Sequence, residues 1–334
     1  MERHIESEDQ AGGGAGLSSR PPPIERRDFD PFGELDRIAI LIGRMYEAHR
    51  DDASSLEARA YRIAYRILDV VNLDGAAAMG DIHTRHDRPY AVLRSLQKGV
   101  WTAYLCATLG VPEDERAEVI AAAMSANLAM ASLQNVLERQ ESGPTPQQRE
   151  VIRRHPEESA AMLEARGVTS RLWLRTVREH HERLDGSGYP AGLRGSEIAK
   201  SAMLVGFSDT LTAMITPGGV KRAPRSPASA LAELTELADK AYPRSLIYTV
   251  CGRLGAYPPG TAVRMADGSL AVVLRPGEDP RRPYAAMVVR PDGTRVARPR
   301  PLEACRISAV LPVSELPALD HANLWGYSRR DRWL

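Results

Sequence analysis

The chain has 334 residues, of which 43% are hydrophobic and 26% are charged, and its formal net charge is +1. These values are typical of a folded globular protein, and the near-zero charge gives no general attraction to nucleic acid or to acidic lipid. The three cysteines are widely scattered and form no metal-type pair, so we expect a reducing, cytoplasmic setting. We recognise no signal peptide and no apolar run long enough to cross a bilayer.

The first part of the chain divides into a polar segment and a helical segment. Residues 1–32 are rich in Gly and Pro and bury little surface, so we predict a disordered tail. In residues 33–87 apolar side chains recur at helical spacing, which predicts N-terminal amphipathic helices.

Residues 88–256 continue the helical pattern with few strand signals. Pro146 after Thr145 is typical of a helix start, and Gly110 is typical of a helix end. The predicted helices are Tyr90–Leu109, Glu113–Glu138, one that begins at Thr145, Arg171–Glu182 and Ser196–Thr216.

The periodicity changes to two in residues 257–317. Three short apolar runs there, separated by Asp-Gly turns, predict antiparallel strands at Ala262–Met265, Leu270–Leu274 and Ala285–Val289. We therefore predict a mainly α fold, a helical bundle with a small C-terminal antiparallel β unit, followed by a C-terminal tail over residues 318–334. The β unit has many arginines but few aromatic residues to stack bases, so nucleic-acid binding is not expected.

The most informative segment runs from His180 to Pro190 and reads His-His-Glu-Arg-Leu-Asp-Gly-Ser-Gly-Tyr-Pro. Histidine is the commonest metal ligand and titrates near neutral pH. The segment resembles the signature of the HD-GYP family, bacterial metal-dependent phosphodiesterases that cleave cyclic di-GMP. The resemblance covers about residues 88 to 260 and implies an HD-type helical bundle.

The resemblance carries over four metal-ligand positions of the family, at His155, His180, His181 and Asp209. It implies that they hold a divalent ion such as Fe, Mn, Zn or Ni. A histidine pair at a helix end is also favoured by the helix dipole, and a structural ion pair explains Asp209 as well as metal binding does.

The name-giving His-Asp pair of the family is missing. In the family it lies in a His-Asp-Ile-Gly-Lys segment, and the corresponding positions here are Ala126, Asn127 and, for the lysine, Met130. The first ligand histidine corresponds to Arg94. A neutral asparagine bridges two cations poorly, so we predict that the centre is degenerate and binds one divalent ion weakly or none.

Arg94 leads to a structural hypothesis. A guanidinium is always charged and carries five donors, so Arg94 would occupy the vacated metal position and pair with Asp209, with Ala126 making room. The hypothesis predicts a close approach of Arg94 and Asp209.

Two further groups are candidate ligand or partner contacts. The resemblance implies that the region of Gly188, Tyr189 and Pro190 binds partners such as diguanylate cyclases. Lys221 and Arg222 lie where the family has a phosphate-contacting element, but they match it poorly, and a solvated basic loop is the favoured interpretation.

We therefore expect a signalling protein that is catalytically inactive or weak, acting as a cyclic di-GMP-related receptor or as a protein-interaction module. The competing expectation is a single-metal phosphodiesterase in which Glu182 or Asp185 assists catalysis. A third is a structural pseudoenzyme that binds neither metal nor nucleotide.

Overall fold

The computed structural model describes residues 29–48, 56–218, 223–302 and 306–327. Most of the predicted N-terminal tail lies outside these residues, as do Lys221 and Arg222. The described helices before the β unit are α1 Pro31–Ala48, α2 Leu56–Thr84, α3 Tyr90–Thr108, α4 Glu113–Ser125, α5 Ala131–Arg139, α6 Pro146–Glu164, α7 Arg171–Glu179, α8 Lys200–Ile215, α9 Pro227–Thr235 and α10 Arg244–Leu254.

The C-terminal part is an antiparallel sheet whose strands lie in the order β4-β3-β2-β1-β5. The strands are β1 Ala262–Met265, β2 Leu270–Arg275, β3 Tyr284–Val289, β4 Pro301–Leu302 and β5 Ile307–Leu311. A short helix, α11 His321–Leu324, follows. The predicted fold class, mainly α with a small antiparallel β unit, is confirmed. The boundaries of the predicted domains stay predictions.

Local chemistry fixes the start of α6 where the sequence predicts it. The Thr145 side chain accepts the Gln148 backbone N–H at 3.2 Å, and the Gln148 side chain accepts the Thr145 N–H at 2.8 Å. Pro146 occupies the first helical position, where its missing N–H has no cost. This reciprocal cap sets the register that brings His155 into the core.

The prediction of one helix over Glu113–Glu138 is wrong. The chain leaves α4 after Ser125 and passes through a 3-10 turn, Leu128–Met130, before α5 begins. Tertiary hydrogen bonds hold the break, because Trp173 Nε1 donates to Ser125 Oγ at 2.9 Å and the Ala129 N–H donates to Ser159 Oγ at 3.1 Å. An alanine-rich pattern does not reveal partners on other helices.

The stretch from α4 to α5 is also relevant to the expectation that no apolar run is long enough to cross a bilayer. Among the described residues, Glu113–Arg139 has the length and apolar composition of a membrane span. It is weak evidence for one, because 67% of that window is buried inside the protein, as in the core helices of folded domains.

The segment predicted as a C-terminal tail is packed as far as Tyr327. The Trp325 ring lies so close to Gly80 of α2 that a Cβ at this position would clash with it. The Tyr327 hydroxyl donates to Asp74 Oδ2 at 2.7 Å, where α2 is kinked. These contacts tie the end of the described chain to the N-terminal helices.

His83 of α2 joins the helical bundle to the β unit. Its Nε2 accepts the Trp101 indole N–H at 3.1 Å, so its Nδ1 carries the proton that is donated to the Pro259 carbonyl at 2.6 Å. Burial lowers the pKa of His83 to about 4. The pKa of each of the other described histidines is also lowered, with burial as the main cause.

We predict that the protein loses stability as the pH falls from about 6.5 to about 4. In this window the histidines are protonated in the unfolded chain but stay neutral in the folded protein. Each such histidine therefore lowers the free energy of unfolding by about 1.4 kcal/mol for each pH unit of acidification. Urea unfolding at pH 7.5 and pH 5 measures the loss. The variant His83→Gln keeps a donor for the Pro259 carbonyl and should show a shallower pH dependence; an equal slope would contradict the assignment.

Candidate functional site

A buried ion network joins α3 and α8. The Arg94 Nη2 atom donates to Asp209 Oδ1 at 3.0 Å and to the Asp209 carbonyl at 3.2 Å, while Nη1 donates to Thr212 Oγ1 at 2.7 Å. The Arg94 side chain is 5% exposed and that of Asp209 is 10% exposed. The predicted close approach of Arg94 and Asp209 is therefore present.

A second cation, Lys98, contacts the same carboxylate. It lies one turn after Arg94 on α3, its side chain is 0% exposed, and its Nζ is 3.5 Å from Asp209 Oδ1. Burial would raise the pKa of Asp209, but Lys98 and Arg94 outweigh it and hold that pKa well below its usual range. Lys98 was not among the residues predicted from the sequence, although its four-residue spacing from Arg94 in an otherwise uncharged helix is a usable signal.

Ala126 and Asn127 hold the positions that the sequence resemblance aligns with the family's His-Asp pair. Ala126 is fully buried, and the Asn127 Oδ1 atom is buried without a hydrogen-bond partner in the part of the chain that the structure describes. The carboxylate that would remain for a second metal, Asp209, is already engaged by two cations. The donor set here therefore does not fit a divalent ion.

The three histidines form a separate cluster. His155 comes from α6, and His180 and His181 follow the end of α7; one ligand nitrogen from each lies within 4.8 Å of the others. The Nδ1 atoms of His155 and His180 bond the carbonyls of Ile152 at 2.6 Å and Val177 at 2.7 Å. A carbonyl only accepts, so both Nδ1 atoms are protonated and both Nε2 atoms present lone pairs.

These two lone pairs face each other, with the Nε2 atoms of His155 and His180 3.3 Å apart. Burial lowers the pKa of His155 to about 4 and that of His180 to about 3, so both rings are neutral near neutral pH. No proton then lies between the two Nε2 atoms to form a hydrogen bond. Two imidazole nitrogens bound to one tetrahedral Zn²⁺ are about 3.4 Å apart. The histidine cluster therefore fits one divalent ion, with its ligands already oriented by backbone carbonyls.

The Gly-Tyr-Pro segment covers this cluster. The Tyr189 ring stacks on the His181 ring with centroids 4.7 Å apart, and the Tyr189 N–H donates to the His181 carbonyl at 3.2 Å. A Cβ at Gly188 would lie 2.5 Å from the Glu182 Cα atom, so only glycine fits. Tyr189 is partly buried against the site rather than freely exposed.

The two residues proposed to assist catalysis are placed differently. The buried Glu182 carboxylate accepts three backbone N–H groups, from Ala191 at 2.7 Å, Gly192 at 3.1 Å and Leu193 at 3.0 Å. The exposed Asp185 carboxylate accepts the Ser187 N–H at 2.9 Å in a surface turn. Glu182 thus orders the loop after Pro190, and Asp185 stabilises a turn; a catalytic role for either residue stays a prediction.

A cleft of about 510 Å³ opens at Arg94, a volume within the usual range of small-molecule sites. Its walls include Tyr90 of α3, Met130 of the 3-10 turn and Ile152 of α6, whose carbonyl anchors His155. The cleft thus reaches the ion network while its wall at Met130 is apolar.

Comparisons with known proteins identify the domain class. Residues 82–246 match the family model of the HD domain. The chain is 23% identical over 202 residues to the cyclic di-GMP phosphodiesterase PdeB of Borreliella burgdorferi, covering 60% of this chain and 53% of that protein. It is 32% identical over 124 residues to the cyclic di-GMP phosphodiesterase PA4108 of Pseudomonas aeruginosa, covering 37% of this chain and 30% of that protein. The chain thus spans about half, or less, of these relatives' length.

Among solved structures, the chain resembles Bd1817, an HDG"Y"P protein from Bdellovibrio bacteriovorus. The TM-score is 0.54 at 16% identity, covering 66% of this chain and 71% of that one. This chain contains an HD domain over residues 82–246, and its fold resembles that of an HDG"Y"P protein. The HD domain combines the His155, His180 and His181 cluster with the Arg94–Lys98–Asp209 network, and which of these residues bind metal stays a prediction.

We predict that Asp209→Asn destabilises the HD domain strongly. The change leaves two buried cations without their anion, and breaking a buried ion pair in this way costs on the order of 3–5 kcal/mol. Arg94→Met should cost less, because Lys98 still faces Asp209. Urea unfolding measures both changes.

The exposed ion pair between Arg244 and Asp239 provides the matched control for this prediction. Asp239→Asn should change the urea midpoint little, because solvent screens that pair. An Asp209→Asn protein that unfolds at the same urea concentration as Asp239→Asn would contradict the structural role of the network.

Proposed function

We propose that this chain is a cytoplasmic HD-GYP signalling protein in which an ion network replaces the paired-metal centre. It hydrolyses cyclic di-GMP slowly or not at all, and acts as a receptor for a cyclic di-GMP-related ligand or as a protein-interaction module. The observation that carries this proposal is the Arg94 guanidinium bonded to Asp209 at 3.0 Å.

The argument rests on what a second ion would need. Paired-metal phosphodiester cleavage uses one ion near the attacking oxygen and one near the leaving oxygen, joined by shared anionic ligands. Here the bridging position holds the neutral Asn127, and Asp209 is neutralised by Arg94 and Lys98. A dication placed beside these two cations would be repelled and would have no free carboxylate.

One divalent ion remains compatible with the three histidines. When bound there, it would act as a Lewis acid and lower the pKa of a bound water. The chain's own contribution is to hold His155 and His180 by carbonyls and to cover His181 with Tyr189. This fit favours a second candidate function, a single-metal phosphodiesterase acting on cyclic di-GMP.

We predict at most one ion per chain and little or no hydrolysis of cyclic di-GMP in the presence of Mn²⁺ or Fe²⁺. Elemental analysis of the purified protein for Fe, Mn, Zn and Ni gives the ion count, and chromatography of the nucleotide products gives the rate. His180→Ala should remove any ion that is present. Brisk turnover that His180→Ala abolishes would overturn the proposal and support the single-metal enzyme.

The relatives support the choice of ligand class. Two of the most similar curated proteins are named as cyclic di-GMP phosphodiesterases, although the chain spans only 53% and 30% of their lengths. Cyclic di-GMP is a dianion, and the cleft offers Arg94 as a buried cation but Met130 where the family has a lysine. We therefore propose weak, non-hydrolytic binding of cyclic di-GMP in this cleft.

We predict that Met130→Lys strengthens cyclic di-GMP binding by about tenfold, because it adds one charge-assisted contact to a phosphate, worth about 1.5 kcal/mol. Isothermal titration calorimetry of the wild type, Met130→Lys and the neutral control Met130→Leu tests this. If Met130→Lys binds cyclic di-GMP no better than Met130→Leu does, the cleft is excluded as the receptor site. The interaction module would then be the remaining proposal.

The interaction module would use the Gly188–Pro190 region. Asp185 and Ser187 on this loop are exposed, so a partner can reach it without disturbing the buried Glu182 anchor. A diguanylate cyclase-type protein is the partner class that we propose from the family resemblance.

A further inference from the structure

Gln134 of α5 is a buried glutamine in the wall of the 510 Å³ cleft. The residue is 7% exposed, and its amide makes no hydrogen bond with any residue that the structure describes. A primary amide has two N–H donors and a carbonyl acceptor, and burying it without partners costs free energy. Because the side chain lines the cleft, a ligand there can supply the missing partners.

Gln140 is a second glutamine in the same wall, and it has a structural role. Its Nε2 donates to the Gly143 carbonyl at 2.9 Å, and its Oε1 accepts from Gln148 Nε2 at 2.8 Å. These bonds hold residues 140–144, which line the cleft beside α5. Gln134 is therefore not needed to hold this wall, and its amide remains to be explained.

Glu138 places a carboxylate beside Gln134. It lies four residues further along α5, so both side chains lie on one face of the helix, about 6 Å apart along its axis. Both line the cleft, and no ion pair or hydrogen bond joins the Glu138 carboxylate to another residue in the described part of the chain. A carboxylate repels phosphate, so this part of the wall suits a neutral group that donates hydrogen bonds.

A guanine base carries the groups that complement this pair. Its Watson–Crick edge has two adjacent donors, N1–H and the N2 amino group, next to the acceptor O6. A carboxylate accepts the two donors side by side, and an amide N–H donates to O6. An adenine edge has an acceptor at N1 and no amino group at C2, so its N1 lone pair would face the carboxylate.

Tyr90 of α3 also lines the cleft and offers an aromatic ring. Stacking on an aromatic side chain is tolerant of base identity, because every base has a π face. Tyr90 therefore suits either purine, and the choice between purines falls to the polar pair on α5.

We propose that Gln134 and Glu138 form a guanine-selective base site in the cleft, where Glu138 accepts the N1–H and N2–H groups and Gln134 donates to O6. This inference rests on the cleft being the nucleotide site of the proposed function, and it deepens that function by naming the residues that select the base. It is independent of whether the histidine cluster holds an ion.

The test measures the affinities for cyclic di-GMP and for cyclic di-AMP by isothermal titration calorimetry and takes their ratio. Both ligands carry two phosphates, so a general effect of charge cancels in the ratio. The wild type should prefer cyclic di-GMP by about tenfold or more, and Glu138→Gln should reduce the preference by about tenfold, because a bidentate contact to a base edge discriminates by that order. Gln134→Leu should reduce it by a smaller factor.

Two variants serve as matched controls. Glu141→Gln removes the same charge from another carboxylate of the cleft wall and should leave the ratio unchanged. Tyr90→Leu should weaken both ligands alike. Urea midpoints show whether each variant is folded, and Gln134→Leu carries the test if Glu138→Gln is not. A wild type without preference, or a folded Glu138→Gln or Gln134→Leu protein that keeps the full preference, would overturn the inference.

The failures of the inference and of the proposed receptor function are distinguishable. A wild-type protein that binds no cyclic di-GMP defeats both. If the wild type binds cyclic di-GMP and Met130→Lys strengthens that binding, but neither Glu138→Gln nor Gln134→Leu changes the ratio, the receptor function stands and the inference alone fails.

Discussion

The buried carboxylate of Asp209 is the constraint on which the centre of this molecule depends. A charge in the core of a helical bundle is tolerated only when counter-charges and hydrogen bonds replace its lost hydration. Arg94 and Lys98 supply two positive charges from successive turns of α3, and this pairing fixes how α3 faces α8. The same pairing removes Asp209 from the set of free metal ligands, so a stabilising contact also restricts the chemistry.

The histidine cluster is organised independently of that network. Its rings are oriented by the carbonyls of Ile152 and Val177, and its cover is held by the Glu182 carboxylate, which gathers three N–H groups of the following loop. The loop geometry and the histidine positions therefore do not depend on whether Asp209 is paired with Arg94 and Lys98 or binds an ion. The signature segment alone does not distinguish a hydrolase from a protein that has retained only its shape.

The β unit and the chain end contribute to stability rather than to the site. The β unit meets the helices where Pro259 accepts the His83 Nδ1–H, and the chain end meets them where Trp325 covers Gly80. Among the described residues, no hydrogen bond or ring contact joins Pro259 or Trp325 to the histidine cluster or to the ion network. The neutral state of His83 links these contacts to pH, because a protonated ring can no longer accept the Trp101 N–H.

The sequence by itself determined the helical class, three short apolar strands and the cap at Thr145, and it supplied the pairing of Arg94 with Asp209 as a hypothesis. Each depends on local periodicity or on a motif whose register has no gap between Arg94 and Gly110. Only the tertiary structure decided that the helix breaks near Ala126, that Lys98 faces Asp209, and that Glu182 anchors a loop. These outcomes depend on contacts between distant segments, such as Trp173 with Ser125 and Lys98 with Asp209. The packing of helices determines which of these side chains come into contact. The residue pattern within one helix carries no information about the side chains that the neighbouring helix presents.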